Sequence, residues 1–192
     1  MISPPVINDF DAMLEDLIAK TQAFDLRDES EIQDLVWLRD SSTPDDWHEM
    51  ALWGFGDSAE PLLFHWIASR PNCEAATALV LFWMVKPDYY LNLERDREVL
   101  NDSQNPNNVS DKLLHFDMIE YIRNRWKTYG YTQRTVGFDY DRDLWPNEFE
   151  SIDAQFGDIA KVYLPVSMRN SFDGRSPKEL KISDNFPEEF RG

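Results

Sequence analysis

Cys73 is the one thiol in a chain of 192 residues, and it stands inside the longest apolar stretch, RPNCEAATALVLFWMVKP (70–87). A cysteine at the start of a helix has the helix dipole to favour its thiolate, the reactive form. A nucleophile also needs an adjacent base, and no His–Cys or Arg–Cys spacing supplies one. A lone cysteine more often serves as a small apolar filler. His48-Glu49 begins like the helix of a zinc protease, but Leu52 stands where the second histidine must be. His48, His65 and His115 fall on three separate predicted helices, so a zinc site would need them to converge in space. Asp139, Asp141, Asp143 and Glu150 fall at positions 1, 3, 5 and 12 of a calcium-loop register. Against that register stand Leu144, where the loop needs glycine, Pro146 two places later, and Arg142, which offsets part of the charge. GxxxxGK[ST], GxGxxG, GxSxG and CxxC are absent, so neither a catalytic residue nor a cofactor is expected.

The same acidic stretch has a second reading. Residues 139–158 hold seven acids and one base, Arg142, together with Tyr140, Trp145, Phe149 and Phe156. Rings among carboxylates suit a protein interface: the rings supply contact area and the acids meet a partner's Arg and Lys. Asp139, Tyr140, Asp141, Asp143, Trp145, Glu148 and Glu150 are the candidate partner-binding residues. The alternative is that these rings anchor an irregular segment to the core. A smaller acidic zone lies at 25–34. Arg123, Arg125 and Lys127 form the best basic cluster, and intramolecular partners suit it better than nucleic acid does.

The elements that must position these residues are mostly helices. Ile7, Phe10, Met13, Leu14, Leu17, Ile18 and Phe24 mark one face of a first helix. Ser30 caps a second, with Ile32, Leu35, Val36 and Leu38 inward. Thr43-Pro44-Asp45-Asp46 is a strong start signal: a cap, a proline at the first helical position, then two acids. Three short helices are expected at 44–53, 59–69 and 73–86, with Asn72 capping the third. The third is apolar without interruption from Ala78 to Val85, which places it at the centre, covered by the other two. Thr77 is expected to return its hydroxyl to the backbone one turn back.

Residues 101–111 read as a polar loop, followed by a helix to about Tyr129 that carries Leu114, Met118, Tyr121, Ile122 and Trp126 inward and stops at Gly130. Beyond it the helical period ends. Thr135–Tyr140 and Lys161–Val166 are the strand candidates, and the last dozen residues are expected to be mobile. The fold class is therefore mainly α: a compact multi-helix domain over 1–130, with an irregular, short-stranded extension over 131–192 packed on it.

Composition limits the partners. Asp and Glu number 36 against 19 Lys and Arg, a net charge of −17. Such a surface repels nucleic acid and anionic lipid and speeds association with basic proteins. The single cysteine excludes an intramolecular disulfide and fits a reducing compartment. The N-terminus lacks the basic and apolar regions of a signal peptide, and no apolar run reaches the length of a spanning helix. The expected location is the cytoplasm.

WHEMAL (47–52), PLLFHWIASRPNCEAATALVLFWMVKP (61–87) and YIRNRWKTYGY (121–131) resemble the bacterial domain-of-unknown-function 4274 family. The signature positions are Asn72-Cys73, Thr77-Ala78-Leu79 and Leu81-Phe82-Trp83, and the resemblance spans roughly 36–140. The family has no established enzymatic activity and transfers no catalytic residue. Some members look like neighbours of secreted polymorphic toxins, which implies an immunity protein that binds and blocks a cognate toxin, one whose basic surface would suit this acidic chain. A homodimer through the aromatic patch and a zinc- or calcium-dependent domain or enzyme are the alternatives.

Overall fold

The computed structural model describes residues 10–23, 29–52, 61–85, 87, 106–128, 130–139, 143 and 164–188. Six helices lie among them: α1 (Phe10–Ala23), α2 (Glu29–Asp40), α3 (Pro44–Leu52), α4 (Pro61–Ser69), α5 (Ala75–Met84) and α6 (Pro106–Thr128). The architecture is mainly α, as the periodicity implies.

Every residue of α5 from Ala75 to Trp83 is buried. A helix with no solvent face must be covered on all sides. α3, α4 and α6 supply helical cover, and α4 in turn packs on α1 and α6. Each fully buried Leu, Val or Phe contributes about 1.5–3 kcal/mol, and this helix buries Leu79, Val80, Leu81 and Phe82. Trp47 of α3 meets Trp66 of α4 edge to face at 5.7 Å between ring centroids. On α6 the buried stripe is Phe116, Met118, Ile119, Ile122 and Trp126, with Tyr121 partly covered.

Thr43 starts α3 as its sequence implies. The Asp46 amide donates to Thr43 Oγ1 at 3.3 Å, and the Asp46 carboxylate accepts the Thr43 amide at 2.8 Å. This is a reciprocal capping box. Gly130 ends α6 with φ 67° and an amide bond back to the Arg125 carbonyl at 2.9 Å, a conformation that glycine adopts without strain.

Four expectations are corrected. α6 begins at Pro106, so part of the expected 101–111 loop is helical; proline suits the first helical position because its missing N–H has no helical partner anyway. Asn72 does not cap α5. Residues 71–73 form a turn closed by the Cys73 amide on the Arg70 carbonyl at 3.1 Å, and the cap residue is Glu74, held extended at φ −67°, ψ 145°. Of the strand expected at Lys161–Val166, residues 161–163 lie outside the described residues, and Leu164–Val166 is not a strand, since Val166–Arg169 is a 3-10 turn. It docks by its polar groups: Trp83 Nε1 donates to the Met168 carbonyl at 3.4 Å, and Trp126 Nε1 to Ser167 Oγ at 2.9 Å.

The tail is the fourth correction. Residues 181–188 are ordered on the helical core: Phe186 is 4% exposed and meets Trp37 of α2 edge to face at 5.5 Å. Phe186→Ala is expected to destabilise the chain by about 3 kcal/mol, measured as a shift in the urea midpoint. A loss below about 0.5 kcal/mol, the level of a surface substitution, would mean that the tail only drapes over the molecule.

Candidate interaction site

The extension is held to the helices by acids that composition alone would assign to the surface. Asp46 is fully buried at the start of α3. Besides the capping box, its carboxylate accepts the Ser183 amide at 2.8 Å and the Ser183 hydroxyl at 2.6 Å. Its neighbour Asp45 takes both arms of the Arg175 guanidinium, at 2.7 and 2.8 Å, and the Lys181 amide at 2.8 Å. The Arg175 bonds, foremost, hold the Asp45 carboxyl below its ordinary range, and the Lys181 amide adds to this. Glu74 is 4% exposed at the start of α5 and accepts the Thr135 amide at 3.0 Å and the Thr135 hydroxyl. The Ala75 amide donates to the Gln133 carbonyl at 2.8 Å. Two helix N-termini, where orphan N–H groups and the dipole favour negative charge, thus serve as docking points for residues 133–135 and 175–183.

Those two arms also pair with each other. Phe138 and Phe172 exchange amide–carbonyl bonds of 3.0 and 2.9 Å as an antiparallel bridge, whereas Val136 and Arg175 form a parallel one. The second arm reverses its sense between these points, at Asp173-Gly174. The crossing is so close that a Cβ on Gly174 would lie 2.3 Å from the Gly137 nitrogen. Only glycine permits that approach.

An open cleft of about 220 Å³ lies at the crossing, lined by Gly137, Phe138, Asp139, Ser171, Phe172, Asp173 and Gly174. Phe138 is buried and Phe172 partly buried, with ring centroids 6.1 Å apart. Arg134 lies 5.1 Å from the Phe172 ring centroid and 5.6 Å from that of Trp126.

Of the expected partner-binding residues, Asp139 lines this cleft. Asp143 accepts the Asp139 amide on its carboxylate at 2.9 Å and donates its own amide to the Asp139 carbonyl at 2.8 Å, which ties it to a residue that lines the cleft. Tyr140, Asp141, Trp145, Glu148 and Glu150 lie outside the described residues, as do the remaining positions of the calcium register. The acidic arm carrying Ser171, Phe172 and Asp173 was not singled out by composition. Its signal is local: Gly137-Phe138-Asp139 and Phe172-Asp173-Gly174 are two Phe-Asp pairs, each beside a glycine.

The residues capable of nucleophilic or metal chemistry point elsewhere. Cys73 is fully buried, and burial pushes its thiol up to about 12. His48 is fully buried and its Nδ1 lies 3.0 Å from Thr77 Oγ1, which joins α3 to α5. The Thr77 hydroxyl therefore meets a neighbouring helix rather than its own backbone. His65 is 1% exposed on α4. Among the described residues no group of three or more His, Cys, Asp or Glu side chains is placed to hold a metal ion, and no helix is long and apolar enough to cross a membrane. In the basic cluster, Arg123 pairs with Glu120 one turn away. Arg125 donates to the Ala68 and Pro71 carbonyls at 2.8 and 3.3 Å and stacks at 4.3 Å on Tyr131. The Tyr131 hydroxyl donates to the same Ala68 carbonyl at 3.1 Å. Together they satisfy the Ala68 carbonyl in the last turn of α4.

Residues 43–123 match the family described as Domain of unknown function (DUF4274). This bears out the resemblance, and the matched segment runs from the α3 cap to Arg123 on α6. No curated protein and no solved structure matches the chain.

Two outcomes follow. Asp45→Asn is expected to destabilise the fold at neutral pH. Since the folded pKa of Asp45 lies below its ordinary value of 3.8, the carboxylate stabilises above that value and the contribution is lost as pH falls through the folded pKa. The gap in urea midpoint between wild type and variant should therefore be full at pH 6 and narrow as the pH falls below the ordinary value of 3.8. Cys73 should resist a thiol reagent in the native state and react at the rate of unfolding; rapid native labelling would show an accessible thiol.

Proposed function

We propose that this chain is a non-catalytic interaction protein, an immunity protein that neutralises a cognate basic toxin by binding and occluding it. The observation that carries the proposal is the inward placement of the reactive groups. The thiol and two of the three histidines are sealed in the helical core, where Cys73 packs as an apolar group and His48 joins two helices. The acidic groups left outside, on a chain of net charge −17, present a field that draws in a basic partner. The match to a family of unknown function supplies the wider context; the resemblance of some members to neighbours of secreted toxins supplies the partner class.

Occlusion asks for surface and speed rather than for a reaction. Basic toxins that act on nucleic acid need a positively charged cleft, and an acidic protein seated there would compete with the phosphate backbone. Such a chain would work in the cytoplasm of the producing cell, away from membranes and without a cofactor.

The test is co-expression with the product of the adjacent upstream gene, read by growth and by co-purification. Rescue of growth with a stable complex supports the proposal; neither rescue nor complex sinks it. In the complex, raising salt from 50 to 500 mM should slow association at least tenfold and leave dissociation nearly unchanged. An association rate indifferent to salt would remove the electrostatic part.

A further inference from the structure

We infer that residues 177–188 form a strap that opens as one unit from the junction of α2 and α3 while the helices stay folded. The inference goes beyond the binding role and does not depend on it.

The strap is held at Trp37, Asp45 and Asp46, which lie close together in the chain. The Lys181 amide donates to the Asp45 carboxylate at 2.8 Å. Two residues on, the Ser183 amide and hydroxyl donate to Asp46 at 2.8 and 2.6 Å. Phe186 meets the Trp37 ring near the end of α2 at 5.5 Å between centroids. These contacts depend on one another. The Phe186 amide closes a turn on the Ser183 carbonyl at 3.0 Å, so the ring docked on Trp37 also fixes the residue that bonds Asp46. Losing the ring frees Ser183, and Lys181 two residues before it then loses its fixed place on Asp45.

Two features confine the opening to the strap. The bridges to residues 136 and 138 stop at Arg175. Its amide bonds the Thr135 carbonyl at 2.8 Å, its carbonyl accepts the Gly137 amide at 3.0 Å, and its guanidinium holds Asp45. Arg175 therefore stays as a fixed base. Beyond it the strap joins no ladder among the described residues, and its regular structure is the 3-10 turn Pro177–Glu179. On the helical side, opening leaves α3 its start. Asp46 keeps the Thr43 amide and hydroxyl, each at 2.8 Å, and water can replace the Ser183 donors. A segment whose loss leaves the remaining structure satisfied opens at a lower free energy than the whole chain. Opening uncovers a ring and a carboxylate, Trp37 and Asp46, that are buried in the closed form.

Native-state hydrogen exchange in the full chain, followed amide by amide, tests the inference. Lys181, Ser183 and Phe186 should share one opening constant, at least about tenfold larger than that of Leu79–Phe82 on α5, and depend less steeply on urea because less surface is exposed. Phe186→Ala should speed exchange at Lys181 and Ser183 together by about a hundredfold, the effect of truncating a buried ring. Ser183→Ala keeps the amide and should speed Lys181 and Phe186 together by about tenfold, the effect of losing a bond to a charged acceptor. This milder variant carries the test alone if the first does not fold. Strap amides that share the opening constant and urea dependence of α5 would mean that the strap leaves only when the whole chain unfolds. Acceleration that fails to reach Lys181 would mean fraying residue by residue. Either result overturns the inference.

Discussion

Three carboxylates at the starts of two helices hold the two halves of this molecule together. Asp45 and Asp46 open α3, Glu74 caps α5, and each accepts backbone N–H groups from the extension. A buried or half-buried carboxylate needs such donors, since its desolvation is otherwise costly. An extended arm without a sheet around it needs acceptors for the same reason. Each side thus satisfies the other. Removing the arms would strip Glu74 of its Thr135 donors and leave Asp46 with the Thr43 cap, and removing the acids would take from the arms their acceptors at the starts of α3 and α5. This mutual dependence makes the extension part of the fold.

The same docking explains the position of the cleft. Arg175 is drawn onto Asp45, and the residues just before it must then reach back to pair with Phe138. The arm reverses its sense over Asp173-Gly174 to do so, and the two glycines allow the backbones to cross at a distance that no Cβ would tolerate. The notch at the crossing follows from this route. The cleft is therefore supported by a structural ion pair at α3, which sets its geometry without lining it.

The reactive side chains obey a different constraint. α5 is buried throughout, so any polar group on or beside it must find its partner inside. Thr77 and His48 do this across the α3–α5 contact, and the Cys73 thiol stays protonated in surroundings that penalise charge. A core that neutralises its own chemistry, on a chain whose net charge is −17, is the basis on which we propose reading it as a binding protein.

The helical class, the start of α3 from Thr43-Pro44-Asp45-Asp46, the stop at Gly130 and the central place of α5 are legible in the residues alone. These follow from period, capping and local backbone preference, which act over a few residues. The sequence also marks Asp139 within a candidate interface. Which acids are structural and which line a surface emerges with the folded chain, because pairing depends on residues far away in sequence: Asp45 with Arg175, Glu74 with Thr135, Asp46 with Ser183. Asn72 has a better intrinsic preference for a cap than Glu74, yet the chain crossing at Gln133 took the helix end. The tail reads as mobile from its composition, yet Phe186 finds a ring on α2 that no local pattern announces. Local chemistry sets the elements; the partners of buried charge and of single aromatic anchors are set by where the chain returns.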